Sequence, residues 1–208
     1  MLVRSARGRQ WTWNHGAAAG AVVIGAAASL IVAPNAQGLF GAGLAMLMIA
    51  IAAIDSRHFI IPDELNIAAF ILALANAGFQ NNNTVVEDIA LAILRGGALS
   101  LAFLGLQHAY RALRKRDGIG LGDVKLAAVA GAWLGWQTIP IAVEIAALGA
   151  LAAYAAHHYF SGRTFRATTR LPFGLFFAPA IWLAWLLETL NLFDALTALQ
   201  FLAGGRKI

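Results

Sequence analysis

The chain has 208 residues, 60% of them hydrophobic and 12% charged, against roughly 25% charged in an ordinary soluble domain, which excludes a water-soluble globular body. Its formal net charge is +5, but the Lys and Arg are scattered in short connections between apolar runs, as topology signals are, and do not form a nucleic-acid footprint. With no cysteine, disulfides, thiol nucleophiles and Cys-based zinc sites are excluded.

The chain opens on a basic stretch with Arg4, Arg7 and Arg9, then enters an apolar run over 16–32. Residues 33–38 carry no small-x-small cleavage pattern and a second apolar run follows at once, so the first is expected to be a retained span and not a signal peptide. Further apolar runs lie at 39–54, 65–78, 89–110, 124–136, 139–159 and 173–190. A helix needs about 17 to 25 apolar residues to cross a hydrocarbon core about 30 Å thick, so the pattern predicts an all-α fold, a polytopic membrane helical bundle of about seven transmembrane helices.

Loop charges test that segmentation. Basic residues stand before the first span, after the second (Arg57), after the fourth (Arg111, Arg114, Lys115, Arg116) and after the sixth (Arg163, Arg166, Arg170), while 33–38, 80–88 and 137–140 have none. Since cytoplasmic loops carry the Lys and Arg, the alternation predicts a cytoplasmic amino terminus, with 1–15 as a basic cytoplasmic start. The tail 191–208 is expected outside or lying in the interface, because its apolar part is too short to cross. The whole of 1–208 reads as one integral-membrane domain with the lipid bilayer as its solvent. Trp11, Trp13, Trp133 and Trp136 fall near predicted interfaces as an aromatic belt would place them. The five histidines, His15, His58, His108, His157 and His158, fall near span ends, and no pair has the i, i+4 spacing of helical zinc ligands; no metal and no cofactor are expected.

Ionisable groups at membrane depth are costly, so the ten acidic residues repay separate reading. Asp63, Glu64, Glu87, Asp88, Asp117 and Asp194 fall in loops or flanks, where solvation suffices. Glu144, Glu188 and Arg95 lie near outer ends and are expected to snorkel to water. That leaves Asp55, closing the second span in Ala-Ala-Ile-Asp-Ser-Arg-His-Phe-Ile-Ile-Pro-Asp, and Asp123, opening the fifth in Gly-Ile-Gly-Leu-Gly-Asp-Val-Lys-Leu. The loop charges put both at the cytoplasmic end. Two carboxylates meeting there share one proton, so that one acts as acid while the other acts as base on a water, the arrangement used by aspartic proteases. Gly118, Gly120 and Gly122 let backbone approach closely just before Asp123, as a water-filled site within a membrane would need, or as simple close packing would. Lys125, in a first helical turn, opposes the macrodipole, which points either to a specific partner or, as the preferred reading, to a lipid phosphate anchor.

At these residues the sequence resembles the prepilin (type IV leader) peptidases, bacterial members of the GxGD membrane aspartyl proteases. Gly120-Leu121-Gly122-Asp123-Val124-Lys125-Leu126 is similar to the family's GxGD motif with its Val-Lys-Leu continuation. Asp55 followed by Ile61-Pro62-Asp63 is similar to the first catalytic aspartate and its sequel, and Leu171-Pro172-Phe173-Gly174 resembles the family's Pro-Phe-Gly element. The resemblance covers 39–190. It implies an aspartic endopeptidase of the bacterial inner membrane that removes the short basic leader of prepilins or pseudopilins at the cytoplasmic face, typically after a glycine and before a hydrophobic segment. Asp55 and Asp123 would be catalytic. Gly120, Gly122, Lys125, Pro62, Asp63, Pro172, Phe173 and Gly174 would bind substrate or shape the site, with Asp63 the rival for the first catalytic position. Larger family members carry a cytoplasmic region with paired cysteines and also N-methylate the product, so the absence of cysteine puts that second activity in doubt. The alternatives are a signal-peptide-peptidase-like intramembrane protease, which would show Pro-Ala-Leu where Pro-Phe-Gly stands, and a non-enzymatic transporter or scaffold. The particular substrate, the pilus or secretion system and the oligomeric state are not legible.

Overall fold

The computed structural model describes residues 15–80, 84–115, 120–161 and 172–190; the expectations for the basic start, for Gly118, for the loop with Arg163, Arg166 and Arg170, and for the tail lie outside them. Among the described residues there are seven helices and no strand: α1 (His15–Val32), α2 (Ala36–His58), α3 (Asp63–Gln80), α4 (Val85–Arg114), α5 (Leu121–Trp133), α6 (Ile139–Ser161) and α7 (Phe173–Thr189). α2, α4 and α6 each hold a stretch long and apolar enough to cross a membrane, and α1 and α7 are shorter apolar helices. The chain is a multi-pass membrane protein.

Local chemistry sets the helix ends. Asn35 caps α2 by accepting the Gln37 N–H on its side-chain oxygen at 2.9 Å, which satisfies one of the donors a helix start leaves orphaned. α2 stops at Phe59, whose backbone is left-handed at φ 54° and whose N–H returns to the Asp55 carbonyl at 2.9 Å. That conformation is unfavourable for a bulky side chain, and here it turns the chain sharply toward α3. Pro62 then accepts the Asn66 N–H at 3.2 Å to close the first turn of α3, where Asp63 and Glu64 complement the helix dipole.

The bundle packs α2 between α1 and α7, α5 among α3, α4 and α7, and α6 against α7. Its core includes Leu44, Met48, Ile51, Leu126, Val129, Phe177 and Ile181, all essentially inaccessible to solvent. α5 is the most enclosed helix, with eight of its 13 residues buried. Small residues allow this: a Cβ added to Gly131 of α5 would stand 2.8 Å from the Cα of Gly96 of α4. Backbones in contact are the usual way for helices to associate in lipid, where apolar surface by itself gives no preference for a neighbour over the solvent.

Candidate active site

Asp55 lies in the last turn of α2 and is buried, at 4% exposure. A carboxylate taken from water needs hydrogen-bond partners, and the start of α7 provides one: the Leu175 N–H donates to Asp55 Oδ2 at 2.9 Å. Helix starts present free N–H groups, so the first turn of α7 is an anion seat by construction. The Pro172-Phe173-Gly174 element acquires a physical role here. Pro172 precedes the helix with φ −69°, and Gly174 gives room, because a Cβ there would lie 2.9 Å from Asp55 Oδ2 and 2.8 Å from Ile61 Cδ1. Phe173 faces the core side and meets Phe177 in a tilted pair at 5.2 Å between ring centroids, while Phe177 stacks on Phe103 of α4 at 5.5 Å.

Asp123 is the third residue of α5 and is half-buried. Its Oδ2 accepts the Gly120 N–H at 3.0 Å, the half of a capping box that an acid at this position can make alone. Gly122 rests on Ile61, whose carbons lie 3.1 to 3.4 Å from where a Cβ would be. Ile61 thus lies between Gly122 and Gly174, and it draws the two aspartate-bearing segments together. Asp55 stands near enough for its charge to act on Asp123. Each carboxylate is seated on a helix start, Asp55 on that of α7 and Asp123 on its own, and the pair sits at one end of the bundle.

Asp63 and Lys125 also meet there, with Lys125 Nζ 2.6 Å from Asp63 Oδ1 and both side chains more than half exposed. This corrects the reading of Lys125 as a lipid anchor and of Asp63 as merely solvated: the two tie the starts of α3 and α5 together. Asp63 and Asp55 therefore stand in different settings, one on an exposed ion pair and the other buried on amide donors. Sequence reasoning named Gly174 but missed the Leu175 N–H and the wedge made by Ile61. The glycine and the apolar residue after a catalytic-looking Asp were the available signals. Among the described residues no group of three or more His, Asp or Glu is arranged to hold a metal ion.

Asp55 and Asp123 thus come to one end of the bundle, the first enclosed and the second open on a side. The family described as Type IV leader peptidase matches residues 42–155, which takes in both aspartates. The chain belongs to that family. It is 36% identical over 162 residues, 77% of its own length and 50% of the relative's, to a prepilin leader peptidase/N-methyltransferase of Burkholderia pseudomallei. A protein of the same description from Aeromonas hydrophila is 28% identical over 165 residues, 78% of this chain and 54% of that one. Another from Dickeya chrysanthemi is 38% identical over 111 residues, 51% and 36% of the two chains. The chain thus spans about half the length of the curated relatives it matches most extensively. No solved structure matches this family member.

Proposed function

We propose that the chain is a membrane aspartic endopeptidase that cleaves the leader peptide of prepilins or pseudopilins, with Asp55 and Asp123 as its catalytic pair. The observation that carries the reading is that segments far apart in sequence deliver Asp55, Asp123 and the Leu175 N–H to one end of the bundle, where Asp55 accepts that N–H at 2.9 Å. In the mechanism one proton is shared between the carboxyl groups. The ionised partner takes a proton from water as the oxygen attacks the scissile carbonyl, and the protonated partner donates to the carbonyl oxygen, giving a tetrahedral diol. Collapse of the diol breaks the C–N bond as the leaving amine is protonated, and no covalent enzyme adduct forms. The enclosed Asp55, held by an amide donor, suits the fixed partner, and Asp123, open to one side, suits the one that meets water and substrate.

Arg57 of α2 and Arg111, Arg114 and Lys115 at the end of α4 belong to the same end as the aspartates. Lys and Arg concentrate on the cytoplasmic side of membrane proteins, so this end is assigned to the cytoplasm of a bacterial inner membrane, where an uncut leader would remain. The relatives' names join leader cleavage to N-methylation. The proposal concerns leader cleavage.

The test is a gel-shift assay of prepilin or pseudopilin processing in membranes at matched expression. Asp55→Asn and Asp123→Asn are each expected to lower the rate by about 10² to 10⁴-fold, the usual contribution of general acid–base groups. Asp63→Asn is expected to slow cleavage without abolishing it. Robust processing by either of the first two variants would end the dyad reading.

A further inference from the structure

Arg95 of α4 and Glu188 of α7 are charged groups that the proposed chemistry leaves unused, and both turn inward. The expectation that they snorkel to the outer interface is corrected here: Arg95 Nε donates to the Gly131 carbonyl at 3.2 Å, and both Glu188 carboxylate oxygens face the Gly135 N–H at 3.3 and 3.4 Å. Gly131 lies in the last turn of α5 and Gly135 just beyond it, at the end of the helix opposite Asp123.

The reason for charge at this place is the shortness of α5. Its 13 residues rise about 20 Å, against a hydrocarbon core about 30 Å thick. The chain then runs without α-helix from Leu134 to Thr138, both of them buried. Backbone released from a helix at membrane depth needs partners from within the protein. Leu134 N–H returns to the Ala130 carbonyl at 3.0 Å, and Thr138 N–H to the Gly135 carbonyl at 3.0 Å. The Gly131 carbonyl and the Gly135 N–H take theirs from Arg95 and Glu188. The Thr138 side chain also hydrogen-bonds Glu188, and Arg95 and Glu188 lie in each other's field. One cation from α4 and one anion from α7 therefore grip the two sides of the α5 terminus.

We propose that Arg95 and Glu188 are positioning residues which fix the depth and rotation of α5, and thereby the location of Asp123, from the far end of that helix. The inference rests on the reading of Asp123 as half of the catalytic pair. A short rigid helix transmits displacement along its axis, and Asp123 and Gly131 are both within it. Near its end α5 is also held to α3 by Trp133 Nε1, which donates to the Ala69 carbonyl at 3.1 Å, while at its start the described ties to α3 are the exposed Lys125–Asp63 pair and the Ile61 contact, so the far end is the better anchored of the two.

The experiment uses the full chain in native membranes, with two readouts. The first needs no activity: because the sequence has no cysteine, the pair Asp63→Cys and Lys125→Cys is cross-linked with a short bifunctional thiol reagent, whose rate reports where α5 begins relative to α3. Arg95→Met and Glu188→Leu are expected to lower that rate severalfold, and Glu188→Gln, which keeps an acceptor for Gly135, to change it little. The second readout is processing by chains with Asp63 and Lys125 intact, where kcat is expected to fall by about tenfold to a hundredfold with KM nearly constant, as misplacement of a catalytic group would cause. Unchanged cross-linking and unchanged kcat in Arg95→Met and Glu188→Leu would overturn the proposal. If Arg95→Met fails to accumulate, the comparison of Glu188→Leu with Glu188→Gln decides, and equal behaviour of those two overturns it. If the wild type cleaves no prepilin, the functional reading fails, while the cross-linking rates still decide whether the far-end grip sets the place of α5.

Discussion

Gly174 and Gly122 flank Ile61 from two helices, and the difference in their space makes a ranked expectation. A methyl group at Gly174 would stand 2.9 Å from Asp55 Oδ2, so the carboxylate must leave its seat on the Leu175 N–H. At Gly122 the nearest atom would be Ile61 Cβ at 3.1 Å, a milder clash that calls for a shift of a few tenths of an ångström at Ile61 and does not fall on a carboxylate oxygen. Gly174→Ala is therefore expected to lower processing by about tenfold or more, as displacement of a reacting group does, and Gly122→Ala to lower it less, at equal protein levels. The reverse order would show that Ile61, and not the Asp55 seat, governs the site. The Lys125–Asp63 pair makes a contrasting case. With side chains 52% and 59% exposed, it is screened by water and worth about 0.2 to 1 kcal/mol at most. Lys125→Met should barely move the thermal midpoint of the detergent-solubilised protein, whatever it does to cleavage.

Among the elements, α5 concentrates the constraints. It carries Asp123 at its start, is gripped by Arg95 and Glu188 at its end, and touches α4 backbone to backbone at Gly131. A Cβ there would press on the Arg95 carbonyl and the Gly96 Cα, neither of which can rotate away. Gly131→Ala is accordingly expected to destabilise the bundle by about 1 to 3 kcal/mol, the ordinary range for overpacking, read as a lower midpoint in thermal or denaturant unfolding. The existence of this element was legible from its apolar run, and its start from Gly120-Leu121-Gly122-Asp123. Its early end at Trp133 was not. The apolar run continues to Trp136, and hydropathy does not distinguish a helix from buried irregular chain when both are apolar.

For the whole molecule, the alternation of basic and uncharged loops makes a statement about sides. Thr84 precedes α4 and Lys115 follows it, so they belong to opposite ends of one long helix. Single cysteines placed at Thr84 or Lys115 in this cysteine-free sequence are expected to be labelled by a membrane-impermeant thiol reagent from outside intact spheroplasts at Thr84 only. Labelling of both, or of Lys115 alone, would contradict a cytoplasmic dyad.

By itself the sequence determined the helical class, the positions of the apolar helices within a few residues and the identity of the motif residues. Those follow from hydropathy, loop charge and short signatures, which are local properties of the chain. Only the tertiary structure decided which faces meet: that Asp55 sits on the α7 start, that Ile61 wedges between Gly122 and Gly174, and that Arg95 and Glu188 turn inward to α5 and not outward to water. The physical reason is that a helix in lipid is apolar all round. Its pattern therefore marks no buried face, and the choice of neighbours is left to small-residue contacts and to a few polar groups whose partners lie far away in sequence.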